Sequence, residues 1–178
     1  HYYFSKYPHI IRKNRTSIGI LTGKESKEEL HSLGKDIFQY YGLGCRNVSK
    51  LFVPADYDFQ SFFEAIQPYE SINKNHKYVN NYDYNKSIYL VNRVEHLDNG
   101  FLLLTKSEAL VSPISVLFYE HYESESLLKE RIAGLEDKLQ CIVSNENYPT
   151  ALPFGKAQEP ELWDYADGVD VMRFLEGV

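Results

Sequence analysis

Apolar positions along the chain fall into short runs that alternate with helical stripes. Ser17 to Thr22 (SIGILT) is an apolar run ending at Gly23, which predicts a buried strand. Ser26-x-x-Glu29 has the form of a capping box, and Leu30, Leu33, Ile37 and Tyr41 follow it at helical spacing. That stripe stops at Gly42-Leu43-Gly44, where glycine permits a left-handed backbone. Val48 to Val53 reads as a short helical turn feeding a strand of Leu51, Phe52 and Val53, ahead of Pro54. Phe59 to Ile66 predicts a helix closed by Pro68. The polar stretch from Glu70 to Asn85 reads either as a loop or as the start of a helix running through Ile88, Tyr89, Val91 and Asn92.

Beyond the turn signal Asn99-Gly100, Phe101 to Thr105 and Ile114 to Tyr119 read as strands. Glu123 to Ala133 is an amphipathic helix with Leu127, Leu128 and Ile132, ended by Gly134, and Leu139 to Ser144 is a further strand. Strands alternating with helices predict an α/β fold, a mainly parallel sheet flanked by helices. The chain carries no internal repeat and no low-complexity linker. One domain with a C-terminal extension is the expected organisation.

Composition narrows this picture. The 178 residues, 43% of them hydrophobic, suffice for one domain with a sizeable core and are too apolar for a disordered chain. No run of about 18 apolar residues exists to span a membrane. The net charge of −6 argues against a nucleic-acid partner. From Glu159 to Val178 six acids face Arg173 alone, so the tail holds −5 and residues 1–158 only −1. Met172 is the only methionine, and His1-Tyr2-Tyr3-Phe4 has no signal-peptide pattern, so the chain reads as a piece of a longer protein. Two cysteines, Cys45 and Cys141, and six scattered histidines fit neither a disulfide framework nor a metal site. They imply a reduced, cytoplasmic chain with free thiols and no metal.

The chemistry-bearing segment is Gly42-Leu43-Gly44-Cys45-Arg46-Asn47. A thiol between a helix stop and a new turn has open space around it. A helix beginning at Arg46, together with the Arg46 charge, would favour the thiolate, and its free amides would stabilise an oxyanion. That is what a covalent nucleophile requires. Cys141, in an apolar strand, reads as a packing residue. Gly42-x-Gly44 lacks the third glycine of a dinucleotide fingerprint and follows a helix, not a strand; there is no Walker sequence.

Phe38-Gln39-Tyr40-Tyr41-Gly42-Leu43-Gly44-Cys45, with Lys50-Leu51-Phe52-Val53 beyond it, resembles the nucleophile segment of the aldehyde dehydrogenase superfamily. More narrowly, YYGLGCRNVSKLFVP resembles the long-chain fatty acyl-CoA reductases, relatives of the fatty acid reductase of bacterial luminescence. Pro153-Phe154-Gly155-Lys156-Ala157-Gln158 and the stretch Asp164 to Asp170 are similar to the end of the same family. The resemblance runs from about Phe4 to the C-terminus. It implies an aldehyde dehydrogenase-like catalytic cysteine domain over residues 1–150 and a C-terminal closing segment over 151–178. The dinucleotide-binding part would precede this chain.

The activity implied is reduction of a long-chain fatty acyl-CoA to the fatty aldehyde with NADPH or NADH, through a thioester on Cys45. The expected partners are the acyl-CoA substrate and further copies of the chain in a homo-oligomer. Aldehyde-oxidising members carry a general-base Glu where ungapped counting reaches Ile11, and no carboxylate stands there. Its absence suits an enzyme whose acyl intermediate must not be hydrolysed. The superfamily's E-x-F-G-P segment, whose Glu meets the nicotinamide ribose, has its counterpart in Glu108-Ala109-Leu110-Val111-Ser112-Pro113. Glu108 is one residue farther from its Pro, and it is otherwise a solvated carboxylate in a turn. Arg12, Lys13 and Arg15 read as contacts for a phosphate or as a solvated basic turn. Two other functions stay open on the residues: a cysteine acyltransferase or hydrolase pairing Cys45 with a histidine, and a non-catalytic oligomerisation domain.

Overall fold

The computed structural model describes Tyr3, residues 5–11, 14–145, Tyr148 and residues 150–177. The candidate phosphate contacts Arg12 and Lys13 lie outside the described residues. Six strands form one sheet: β1 (Thr16–Ile20), β2 (Val48–Pro54), β3 (Leu97–Asp98), β4 (Leu103–Lys106), β5 (Val116–Tyr122) and β6 (Leu139–Val143). Their order is β3-β4-β5-β2-β1-β6, and every pairing is parallel except that of β3 with β4. The expected α/β class holds, with a short antiparallel strand added at one edge.

Helix α1 (Lys27–Phe38) forms where the pattern places it. The Ser26 hydroxyl accepts from the Glu29 amide, and the Glu29 carboxylate accepts from the Ser26 amide at 2.7 Å. Leu30, Leu33 and Ile37 line its buried face. Helix α2 (Gln60–Ile66) ends ahead of Pro68 as expected, but the chain does not leave helical structure there. The proline sits in the first turn of a 3-10 segment, Gln67–Lys74, where its missing N–H costs nothing. The polar stretch after it becomes the 17-residue helix α3 (His76–Asn92), capped by Asn75. Helix α4 (Glu125–Ala133) is capped by Ser124, and a short α5 (Val171–Glu176) ends the described chain.

Alternation along the strands divides the core. Leu51, Val53, Leu104, Leu117 and Val143 pack against α1 and α2 on one face. Ile18, Ile20 and Phe52 pack against Leu128 and Ile132 of α4 on the other. Helix α3 crosses the end of the sheet, with Tyr78 in the first core and Tyr82 against Leu103 and Val116 on the opposite face.

Between these apolar parts of the second face, β2 buries a charge. Lys50 is fully inaccessible, pairs with Glu120 of β5 and donates to the Ser107 carbonyl at 2.9 Å. Arg131 of α4 closes on the same Glu120 at 3.1 Å. Burial lowers the Lys50 pKa, and the pair with Glu120 works against that shift.

Candidate active site

Cys45 lies at the amino-terminal edge of the parallel strands, just ahead of β2. After α1 the backbone enters the left-handed region at three successive residues: Tyr40 (φ 54°), Tyr41 (φ 60°) and Gly42 (φ 72°). Glycine tolerates this, whereas the two tyrosines hold a conformation that costs them free energy. Such strain concentrates at functional sites. Both tyrosines are exposed, so their burial does not compensate for it.

No helix begins at Arg46, which corrects the sequence expectation. Gly44 to Asn47 form a single turn, closed by Asn47 N–H donating to the Gly44 carbonyl at 3.0 Å, and β2 follows at once from Val48. The helix-dipole argument for Cys45 therefore has no structural basis here. The Gly44 amide is also committed, donating to Asn47 Oδ1 at 2.8 Å. Nor does Arg46 extend along the Cys45 side of the turn. Its guanidinium donates to the Ala157 carbonyl at 3.0 Å and faces Asp164 at 3.9 Å.

Asn47 shapes the turn. Buried beside the C-terminal end of α1, its amide nitrogen reaches the carbonyls of Asp36 (2.9 Å), Ile37 (3.3 Å) and Gln39 (2.8 Å). These are carbonyls that a helix end leaves without intrahelical partners. From the other side, the Ser17 hydroxyl of β1 donates to the Cys45 carbonyl at 2.9 Å. The same hydroxyl lies 3.0 Å from Cys141 Sγ. Cys141 thus comes to the edge of the site instead of serving as packing alone. Burial raises its pKa, with the Ser17 hydrogen bond and the Arg46 charge opposing the rise.

Two clefts open here. One of about 380 Å³ is bordered by Cys45, Asn14, Thr16, Ser49, Val111 and Ser112. The other, about 500 Å³, runs along β6 and is bordered by Cys141, Arg46, Leu139, Ile132 and Tyr148. Arg15 borders both and donates to the Leu139 carbonyl at 3.2 Å. Cys45 itself is exposed. Among the described residues, no histidine borders either cleft, which leaves a Cys–His pairing without a partner there. The described residues also hold no group of three or more His, Cys, Asp or Glu arranged for a metal ion.

The loop from β4 to β5 reaches the Cys45 cleft with Val111 and Ser112. It is held by the Ser49 hydroxyl, which donates to the Leu110 carbonyl at 2.9 Å and lies 2.7 Å from Thr16 Oγ1. Glu108 stands exposed earlier in this loop and outside the cleft's border; its carbonyl accepts from Arg131 at 3.3 Å. Ile11, the position that ungapped counting sets against the superfamily's general base, is exposed. Sequence reasoning missed Asn47, Ser17 and Asp36. Of these, only Asn47 carried a local signal, an asparagine closing a turn two residues after the thiol.

Solved structures place this fold in a class: the sheet and its helices match domains of aldehyde dehydrogenases. An indole-3-acetaldehyde dehydrogenase complexed with NAD+ aligns with a TM-score of 0.51 and 10% identity, over 75% of this chain and 34% of its own. An indole-3-acetaldehyde dehydrogenase of P. syringae, a cysteine-to-alanine variant bound to NAD+ and IAA, aligns with a TM-score of 0.51 and 11% identity. That match covers 81% of this chain and 36% of the other. The chain therefore spans about a third of the length of these structures, and the likeness is one of fold. No family model and no curated protein matches the sequence. Among the described residues, no helix is long and apolar enough to cross a membrane.

Proposed function

We propose that Cys45 is the nucleophile of an oxidoreductase that reduces a long-chain fatty acyl-CoA to the aldehyde. The observation that carries this reading is the exposed thiol, set in a strained turn and opening onto a cleft of about 380 Å³ within an aldehyde dehydrogenase fold. The Cys45 thiolate attacks the thioester carbonyl, the carbon–sulfur bond to CoA breaks, and CoA leaves as its thiolate. The acyl group is then held as a thioester on Cys45. A nicotinamide cofactor, when bound, supplies the hydride that reduces this carbonyl carbon. The thiohemiacetal so formed on Cys45 collapses to the aldehyde and restores the thiolate.

The chain's own residues supply position and exclusion. Ser17 and Asn47 fix the backbone on either side of Cys45. The absence of a carboxylate at Ile11 leaves water unactivated, which protects the thioester until hydride transfer. Glu108, exposed on the loop that reaches the cleft with Val111 and Ser112 but outside the cleft's border, is the proposed ribose contact of a cofactor that extends past that border. A Gly-rich phosphate loop is absent from this sequence, so the pyrophosphate would be held by residues outside it. NAD+ in the two structural neighbours supports a nicotinamide cofactor; NADPH, the fatty acyl chain, the reductive direction, a homo-oligomer and a cytoplasmic setting are parts of the proposal.

The test is to incubate the protein with a long-chain acyl-CoA and read intact mass and peptide masses. The expected result is an acyl adduct on Cys45, absent in Cys45→Ala. An unmodified Cys45, or equal labelling of the variant, overturns the assignment.

A further inference from the structure

Asp36 lies in the middle of the last turns of α1 and is completely inaccessible to solvent. A buried carboxylate is costly unless hydrogen bonds replace its water. Here both oxygens are used: Oδ2 accepts from the Gly155 amide at 2.6 Å and Oδ1 from the Ala157 amide at 3.0 Å. A side-chain amide would set its own NH2 donor against one of these two N–H groups, because each is aimed at a different oxygen. The tail backbone lies flat on the helix at this point. Gly155 has φ +83°, and a Cβ on it would come within 3.3 Å of Ser32 Cβ.

The bonds then lead back to where they started. The Ala157 carbonyl accepts from Arg46, the neighbour of Cys45 in the turn. Asn47, the next residue after Arg46, donates to the main-chain carbonyl of Asp36 itself. A closed ring thus runs from the Asp36 carboxylate to the tail, through Arg46 to the adjoining Asn47 and back to Asp36, and the bond from the Gly44 amide to Asn47 Oδ1 ties the Cys45 turn to it. Resting on the reading of Cys45 as nucleophile, we propose that Asp36 is a positioning residue for Cys45, acting through the tail segment 155–157 and Arg46. The ring explains how a four-residue turn facing an open cleft keeps its thiol in one place. Ordered placement of a reacting group is worth large rate factors, and misplacement by about 1 Å can cost about 100-fold.

The experiment uses the full chain with Cys141→Ser, so that Cys45 is the single thiol. A nitroxide label on Cys45 reports the order of the turn by its electron paramagnetic resonance line shape. Unlabelled protein gives the rate of Cys45 acylation by a long-chain acyl-CoA and the concentration for half-saturation. Arg46→Ala is expected to narrow the spectrum and slow acylation by about 10- to 100-fold, with the half-saturating concentration unchanged. Arg46→Lys, which keeps a donor for the Ala157 carbonyl, restores both. Asp36→Asn repeats the Arg46→Ala result, and the double variant is no slower than either single one. Tyr122→Phe, at the far edge of the sheet, leaves both readouts as they were. A parental line shape in Arg46→Ala, or parental acylation despite a loosened turn, overturns the proposal. If the parent is never acylated, the nucleophile reading falls with it, while the line shapes still show whether the ring holds the turn. Should Asp36→Asn fail to fold, the Arg46 variants decide.

Discussion

The two edges of the parallel sheet solve the same problem in opposite ways. At the carboxyl-terminal edge, backbone groups are closed off by side chains, one of them local and one from β5. Glu25 accepts from the Thr22 and Gly23 amides at 2.5 and 3.0 Å, and the Tyr122 hydroxyl donates to the Leu21 carbonyl at 2.8 Å. The cleft beside them holds only about 50 Å³. At the amino-terminal edge the backbone is held from behind, by Asn47, Asp36 and Ser17, and the space in front stays open as a cleft of about 380 Å³. Open α/β sheets usually bind ligands beyond the carboxyl ends of their strands. Among the described residues the cleft of about 50 Å³ is small at that edge, and the exposed thiol stands at the other. Fixing a backbone through buried side chains is how a site is made both rigid and accessible.

The largest expected effect on this contrast comes from Cys45→Ala. On the proposed function, the intact protein should lose thioester-dependent oxidation of reduced nicotinamide cofactor, by at least about a thousandfold, read by absorbance of the reduced cofactor. The fold should stay the same, because the thiol is exposed.

Next comes Asn47→Ala, which strips partners from the end of α1 and from the Gly44 amide together. It should cost about 3 kcal/mol in urea unfolding, since each buried group left unpaired costs about 1–3 kcal/mol. A value below about 1 kcal/mol would mean that water replaces Asn47 and that the amino edge is not held as described.

Asp36 gives the contrast a pH dependence. Burial raises its pKa from 3.8 to about 6, against the opposing bonds from Gly155 and Ala157 and the charge of Lys35. A folded-state pKa above the unfolded one means that the native state holds the proton more tightly. This contribution is therefore present in full below pH 3.8 and is lost as pH rises through about 6. The wild type should lose about 3 kcal/mol relative to Asp36→Asn across that interval, at about 1.4 kcal/mol per pH unit. Chemical denaturation of both proteins at a series of pH values measures it, and parallel curves would contradict it.

The smallest effect belongs to the carboxyl-terminal edge. Tyr122→Phe removes one hydrogen bond and should cost about 1 kcal/mol, with no change in Cys45 alkylation by iodoacetamide. A change at Cys45 would show that the two edges are coupled.

Much of this architecture is legible in the sequence. The capping box of α1, the Ser17 to Thr22 strand and the strands following Asn99 and Gly134 depend on neighbours a few residues apart, and the period of apolar positions reports them directly. The thiol's open place just after a glycine stop was legible too. The turn itself was misread as the start of a helix, because Arg46 and Asn47 make their decisive bonds to Ala157 and to α1. Lys50 was hidden for a related reason. A charged residue in an apolar strand signals solvent unless a partner is known, and Glu120 comes beside it only when β5 pairs with β2.

The sequence by itself determined the elements, their alternation and the position of a nucleophile candidate, all set by local propensity and periodicity. Tertiary structure alone decided what holds that candidate. Asp36 meets residues 155 and 157, and Arg46 meets 157, across more than a hundred residues of chain. No local pattern encodes such a meeting, because it exists only after the sheet has brought the start and the end of the chain against one helix.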